Sequence, residues 1–240
     1  MKKEKTSALD KIVSVLFAIS LVILIITFSI GLPIYFRPFY YMQIDPLGIE
    51  ASSGHTKAEI KDAFDELMDY LTLGREFGVG TFSYSESGKS HFYDCKVLFD
   101  LNTYALAISL LICTVILLIY KFKGKRLWQP FGLHVSFYAA AGTLIAFSVT
   151  AFLISLDFMR AFKIFHRIFF PGKSNWYFDV DTDPIILALP NKFFMRCAIL
   201  IISSIILICI SIIIASLVAK KRRRGQKTKD YFAYKSTSQL

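Results

Sequence analysis

The chain reads first as four long apolar runs separated by two long polar-aromatic segments. Ile12 to Phe36, Leu101 to Tyr120, Leu127 to Leu156 and Cys197 to Ala219 contain no Asp, Glu, Lys or Arg. A bilayer core of about 30 Å needs about 20 helical residues, so each run predicts a membrane-spanning helix. The first run is well beyond the apolar stretch of a signal peptide and is followed by no small-x-small cleavage site, so it reads as an uncleaved anchor. The runs divide the chain into spans at 12–36, 101–120, 127–156 and 197–219. Segments 37–100 and 157–196 lie between spans, 121–126 is a short turn, and 220–240 is a basic tail.

The two long segments carry their own patterns. Thr56-Lys57-Ala58-Glu59 matches a capping box. Ile60, Phe64, Leu67 and Leu71 follow at helical spacing and Gly74 stands at the end, which predicts an amphipathic helix over 57–73. Thr81 to Tyr84 and Ser90 to Asp94 flank a turn containing Gly88 and predict a short hairpin. From Asp157 to Phe170, Phe158, Phe162, Phe165 and Phe169 fall on one helical face, Arg160, Lys163 and Arg167 on the other, with His166 on the boundary. This predicts a helix ended by Pro171-Gly172. It either lies in the membrane interface or continues the third span. Trp176, Phe178 and Val180 alternate with Tyr177 and Asp179 as a strand would, and Asp181, Asp183 and Pro184 suggest a turn. The expected fold is an all-α membrane protein of four transmembrane helices, with a small extracellular α+β cap built from the two long segments.

Composition agrees and charge adds a direction. Fifty-five per cent of the 240 residues are hydrophobic and 19% charged, yet the net charge is +10. Basic residues collect at one set of span ends: Lys2, Lys3, Lys5 and Lys11, then Lys121, Lys123, Lys125 and Arg126, then the tail from Lys220 to Lys235. With Glu4, Asp10 and Asp230 subtracted, that side carries +13, and the other carries −3. The positive-inside rule places both termini in the cytoplasm and both long segments outside. The charge reports orientation, so no nucleic-acid partner is expected. Membrane lipids are, through attraction of the basic tail to anionic headgroups.

Four histidines narrow the chemistry. His55 sits in a Ser-Gly loop. His134 falls inside the third run, where a helix–helix hydrogen bond is the expected role. His91 and His166 both fall at the outer membrane surface amid aromatics, one from each long segment. His91, Asp94, His166 and Asp183 could hold zinc, but there is no His-Glu-x-x-His or Cys-x-x-Cys. No metal or other cofactor is assigned. Cys113 and Cys209 lie in spans. Cys95 and Cys197 both lie near the outer surface, which leaves a disulfide open. No Gly-x-Ser-x-Gly elbow and no phosphate-binding loop appear.

The stretch Phe165-His166-Arg167-Ile168-Phe169-Phe170-Pro171-Gly172 is followed by Trp176, Phe178, Asp183-Pro184-Ile185-Ile186, Pro190 and Phe193-Phe194, and His91-Phe92-x-Asp94 precedes a span. Together with the four-span layout, these motifs resemble the Lit family, the lipoprotein intramolecular transacylases of Gram-positive bacteria. Where the family pattern has an acidic residue after the glycine, this chain has Lys173. The resemblance implies a membrane acyltransferase that moves the sn-2 acyl chain of a lipoprotein's diacylglyceryl-Cys to its α-amine, leaving an N-acyl lyso-lipoprotein. It implies two catalytic histidines, matched here by His91 and His166; His91 is read as the amine's general base and His166 as partner acid or oxyanion stabiliser, an order that the sequence alone would allow to be reversed. Asp94, Tyr93, Arg167, Trp176 and Asp183 stand as supporting residues. Tyr84, Phe92, Phe165, Phe169 and Tyr177 stand as walls of the substrate pocket. The nucleophile would belong to the substrate, which explains the missing serine elbow. Two other readings remain at this point: a non-enzymatic membrane protein that binds or regulates lipoproteins, and a metal-dependent membrane hydrolase.

Overall fold

The structure, a computed structural model, describes residues 7–237. Lys2, Lys3, Glu4 and Lys5, which enter the charge argument, lie outside the described residues, as do the side chains of Lys227, Lys229, Asp230 and Lys235. All the regular secondary structure of the described residues is helical, with no strand. In chain order the helices are α1 (Ala8–Tyr35), α2 (Pro38–Tyr41), α3 (Ile49–Ser53), α4 (Lys57–Leu73), α5 (Glu86–Phe122), a 3-10 turn (Pro130–Gly132), α6 (Val135–Leu156), α7 (Phe158–Phe169), α8 (Ile185–Ala188) and α9 (Asn191–Thr237). Four of them are long and apolar enough to cross a membrane: α1, α5, α6 and α9.

The helices overrun or undershoot the apolar runs for local reasons. α5 begins fifteen residues before its run, because Ser85 caps it: the Ser85 hydroxyl accepts from the Gly88 N–H at 3.0 Å. α6 begins only at Val135, since Pro130 and the left-handed backbone at Phe131 and Gly132 keep the start of the third run out of the helix. His134 is therefore not within a span. Its Nδ1 bonds the Ser136 hydroxyl at 2.8 Å, at the entry to α6, in place of the expected interhelical bond.

The expected α+β cap is corrected to an all-helical one. The expected hairpin over 81–94 is absent; Glu86-Ser87-Gly88 form the first turn of α5 and Ser90 to Asp94 are helical. Trp176 to Val180 pairs with no partner strand and folds as successive turns, with the Tyr177 N–H on the Ser174 carbonyl and the Asp183 N–H on the Asp179 carbonyl. The alternation there reflects two rings, Trp176 and Phe178, each packing on a different histidine.

Two compact units can be distinguished, each drawing on several helices. One comprises residues 26–107 and 149–204. Its core is laid down by α4. Thr56 and Glu59 close the capping box, with the Thr56 N–H on Glu59 Oε2 at 2.8 Å, and Ile60, Phe64, Leu67 and Leu71 are all buried. Tyr40 of α2 stacks on Phe64 with ring centroids 3.8 Å apart, and its hydroxyl donates to the Ala188 carbonyl of α8 at 2.8 Å. Ile49 of α3, Ile185 of α8 and Phe193 complete this cluster. The other unit comprises residues 7–25, 108–148 and 205–237. Its buried cluster is small: Phe17, Cys113, Ile116, Tyr120, Leu127 and Val135. Polar ties hold the 121–134 connection, the Trp128 N–H donating to the Ser14 hydroxyl at 2.8 Å.

Candidate active site

The site lies wholly in the unit of residues 26–107 and 149–204. It begins with helical spacing. His91 stands on α5, in residues 86–100 that carry Glu86, Lys89, Asp94, Lys96 and Asp100 and precede the charge-free run. His166 stands on α7, a separate helix broken from α6 at Asp157. The Asp157 backbone is extended there and its carboxylate accepts from the Arg160 N–H at 2.9 Å. Of the α7 residues His166 is the buried one, while Phe165 and Phe169 are half-exposed.

The two imidazoles meet. Their centroids are 5.8 Å apart and their planes differ by 29°. Phe170 meets both, at 5.0 Å from His91 and 5.6 Å from His166. Trp176 stacks on His166 at 4.5 Å, Tyr177 stacks on Trp176, and Phe178 stands edge-on to His91 at 5.5 Å.

Hydrogen bonds distinguish the two rings. His166 Nδ1 lies 2.8 Å from the Phe162 carbonyl, one helical turn back. A carbonyl only accepts, so Nδ1 carries the hydrogen and Nε2 of the neutral ring is the free lone pair. His91 Nε2 lies 3.4 Å from Cys95 Sγ, and its Nδ1 is buried without a hydrogen-bond partner. Burial pushes the Cys95 thiol up to about 12, so it keeps its hydrogen. With the S–H donating a hydrogen bond to Nε2, the neutral His91 carries its own hydrogen on Nδ1. Burial, and then the neighbouring His166, push His91 down to about 4, against the opposing pull of Asp94. His166 is lowered too, by burial, with the Phe162 carbonyl opposing. Both rings are therefore neutral near pH 7, and a proton taken up by one is repelled by the other.

Around this pair the structure fixes several charges. Asp94 accepts from Lys173 and, at 3.0 Å, from Asn175 Nδ2. Burial raises the Asp94 carboxyl, but these bonds and the Lys173 charge outweigh it and hold it below the ordinary range. Lys173 is thus the ion-pair partner of Asp94. Asp183 is buried and accepts from the Ser85 N–H and hydroxyl, both at 2.7 Å, and from the Thr182 hydroxyl at 2.9 Å. It clamps the second long segment onto the first turn of α5. A Cβ at Gly88 would come within 2.2 Å of Asp183 Oδ1, so the clamp requires glycine there.

The other expected site residues distribute as follows. Phe165 meets His166 edge-on at 5.5 Å and Phe169 packs on Phe165. Phe92 is buried between Phe77 and Phe178, with its ring centroid 6.1 Å from that of His91. Tyr84 packs on Phe77, away from both rings. Tyr93 and Arg167 are exposed. Phe170, Phe178, Asn175, Cys95 and the Phe162 carbonyl are the contacts that the sequence reading did not assign. Cys95 lies four residues after His91 and Phe162 four before His166, so helical spacing is their signal. Reading 90–94 as a strand hid the first. Cys95 and Cys197 are both free thiols, so the open disulfide is not formed. Among the described residues no group of three or more His, Cys, Asp or Glu side chains is arranged to hold a metal ion.

Comparison with known proteins places this geometry in context. No curated protein matches. The structure is similar to the in meso structure of the membrane integral lipoprotein intramolecular transacylase Lit from Bacillus cereus. The TM-score is 0.78 and the identity 27%, covering 90% of this chain and 98% of that one. It is similar also to a variant of the same Bacillus cereus protein in which a histidine is replaced by arginine, with TM-score 0.69 and 26% identity over 90% and 95% of the two chains. The model of the family described as lipoprotein intramolecular transacylase Lit matches residues 15–194. Three quarters of an all-helical, four-span chain thus carries that family's pattern, and the chain belongs to the Lit family of integral membrane acyltransferases, the lipoprotein intramolecular transacylases.

Proposed function

We propose that this acyltransferase moves the sn-2 acyl chain of a lipoprotein's diacylglyceryl-Cys to the α-amine of the same Cys, with His166 as general base and His91 as hydrogen-bond donor. The observation that carries the assignment is the bond from His166 Nδ1 to the Phe162 carbonyl, which leaves Nε2 as a lone pair beside a second buried imidazole. The substrate's amine, once it has shed its ammonium proton to solvent, attacks the ester carbonyl. His166 Nε2 takes one of the amine's two N–H protons as the C–N bond forms, and the other stays on the amide nitrogen. The partnerless Nδ1–H of His91 donates to the oxyanion. As the ester C–O bond breaks, the imidazolium of His166 returns the proton to the glyceryl oxygen. The products are an amide and an alcohol, and the enzyme is restored.

One proton circulates, which suits a site in which the two rings disfavour a second charge. The nucleophile and the ester belong to one molecule, so holding them together supplies much of the rate. Phe170, Trp176 and Phe178 supply apolar walls that exclude water, the competing nucleophile. The charge asymmetry supports cytoplasmic termini and a site facing outward, where lipid-modified proteins are displayed.

The test is His91→Ala and His166→Ala, with mass spectrometry of the N-terminal peptide of a diacylglyceryl lipoprotein. Each variant should lose the N-acyl lyso product. Its undiminished formation in both would reject the assignment.

A further inference from the structure

The second unit, residues 7–25, 108–148 and 205–237, takes no part in the histidine site, yet it holds two adjoining recesses. The first, of about 370 Å³, is walled by Phe17, Leu21, Ile212, Ala215 and Ala219. The second, of about 270 Å³, is walled by Lys121, Lys125, Arg126 and Arg223, with Tyr120 and Gln129. His134 and Arg223 belong to both, so an apolar slot and a basic one share a wall.

Among the described residues, none of these four cations makes an ion pair with a carboxylate. Arg223 donates to the amide oxygen of Gln129. The acid nearby is Asp10, whose carboxylate is already taken by the Ser7 and Tyr120 hydroxyls, with Lys125 acting on its charge from further off. The connection that floors the recesses is held in a fixed shape. The Lys220 ammonium donates to the Phe131 carbonyl at 3.2 Å, and the Tyr138 hydroxyl donates to the Pro130 carbonyl at 2.8 Å. Phe131, at φ 50° in the left-handed region, is 91% exposed, and Phe122 is 83% exposed. Aromatic rings beside lysines and arginines are what a membrane–water boundary selects.

We infer that the two recesses form a binding site for one anionic glycerophospholipid. Its phosphate lies among Lys121, Lys125, Arg126 and Arg223, and one acyl chain lies against Phe17, Leu21, Ile212, Ala215 and Ala219. The topological role of basic residues requires only that they stand on one side of the bilayer; it does not require that they line a cavity joined to an apolar one. A zwitterionic lipid would bring its own cation to a recess that already holds four. A soluble phosphate compound would leave the apolar slot unfilled. Basic pockets between helices on the cytoplasmic side are the known form of such lipid sites. The inference does not depend on the proposed catalytic roles of His91 and His166.

The experiment is native mass spectrometry of the purified full chain in detergent, titrated separately with phosphatidylglycerol, phosphatidylcholine and glycerol 3-phosphate. Phosphatidylglycerol should give a one-to-one adduct at least tenfold tighter than phosphatidylcholine, and glycerol 3-phosphate should give none. Arg126→Gln and Arg223→Gln should each weaken the phosphatidylglycerol adduct about fivefold, the effect of one interfacial cation. Lys125→Gln serves where either arginine variant unfolds in a thermal melt. Ala215→Phe fills the slot and should weaken the adduct with every cation in place. The exposed Lys123, outside both recesses, should be replaceable by Gln without effect. Equal binding of the two lipids, an adduct with glycerol 3-phosphate as strong as that with the lipid, or lipid binding unchanged in the arginine variants would each overturn the inference.

Discussion

The two units of this protein bury their apolar side chains to different extents. In the unit of residues 26–107 and 149–204, Tyr40, Ile49, Ile60, Phe64, Leu67, Ile185 and Phe193 are buried by other protein groups. In the unit of residues 7–25, 108–148 and 205–237, Leu9, Ile12, Ile19, Ile145 and Ile214 are more than half exposed, and the buried cluster is small. Lipid chains solvate an Ile as well as another side chain does, so a spanning helix needs no protein cover for its apolar faces. A cap helix such as α4 carries acids along one side and must bury the other against protein. The buried histidine and carboxylate side chains lie in the first unit. His91, His166 and Asp183 are buried in the first unit, two of them held by protein hydrogen bonds at short range and His91 keeping one nitrogen without a partner. Burial by protein makes preorganised chemistry possible, and burial by lipid does not.

Substitutions in the two units should separate these cases. The largest effect is expected at the histidines. His166→Ala should lower transacylation by about 10²–10⁴-fold, the ordinary contribution of a general base. His55→Ala, which removes a ring stacked on Phe82 in the same unit, should leave the rate within about twofold. Both are read from product mass spectra, and equal losses would break the assignment. Next, Phe64→Ala should cost about 3–5 kcal/mol by removing a buried ring that stacks on Tyr40. Ile145→Ala, on an exposed face of α6, should cost about 0.5 kcal/mol or less. Thermal unfolding in detergent or bicelles reads both, and similar shifts would mean that exposed faces in this protein are packed after all.

A glycine pair gives a finer contrast. Gly88→Ala should cost about 1–3 kcal/mol and reduce activity, because its Cβ collides with Asp183 and must open the clamp on α5. Gly142→Ala meets nothing within 4 Å and should be neutral or slightly stabilising. The smallest effect is one of pH. The substrate's α-amine, near 7.7–8.0 in model peptides, must be unprotonated, which gives one limb. Because His166 is lowered from 6.5, its neutral form persists below that value, and activity acquires a second acid limb only as pH falls further. The slope of log(kcat/KM) against pH should therefore be about one between 6.5 and 7.5 and steepen below. A second limb above 6.5 would show that the base is not a histidine buried in this way.

Much of this was legible in the chain. Spans follow from length without charge, α4 from Thr56, Glu59 and the spacing of Ile60, Phe64, Leu67 and Leu71, and α7 from its phenylalanine and arginine faces. The two histidines were legible as a pair by topology and by motif. The expected hairpin failed at Ser85. Its helix cap is completed by Asp183, 98 residues away, and no local pattern carries that bond. The expected strand at Trp176 failed because two rings that alternate in sequence are placed by two separate histidines, not by a sheet. Lys173 departs from the family pattern in sequence, and its pairing with Asp94 appears only in three dimensions.

By itself the sequence determined where the chain is apolar for the length of a bilayer, which of its ends carry positive charge, and which helices have a capped start and a buried stripe. These are properties of composition and period, and a bilayer or a helix reads them directly. Tertiary structure alone decided that His91 and His166 face one another, that Phe162 fixes the hydrogen on one ring while Nδ1 of the other is buried without a partner, and that Asp183 holds the helix that presents His91. Those arrangements depend on distances between segments far apart in the chain, and such distances are set by packing, not by spacing along the sequence.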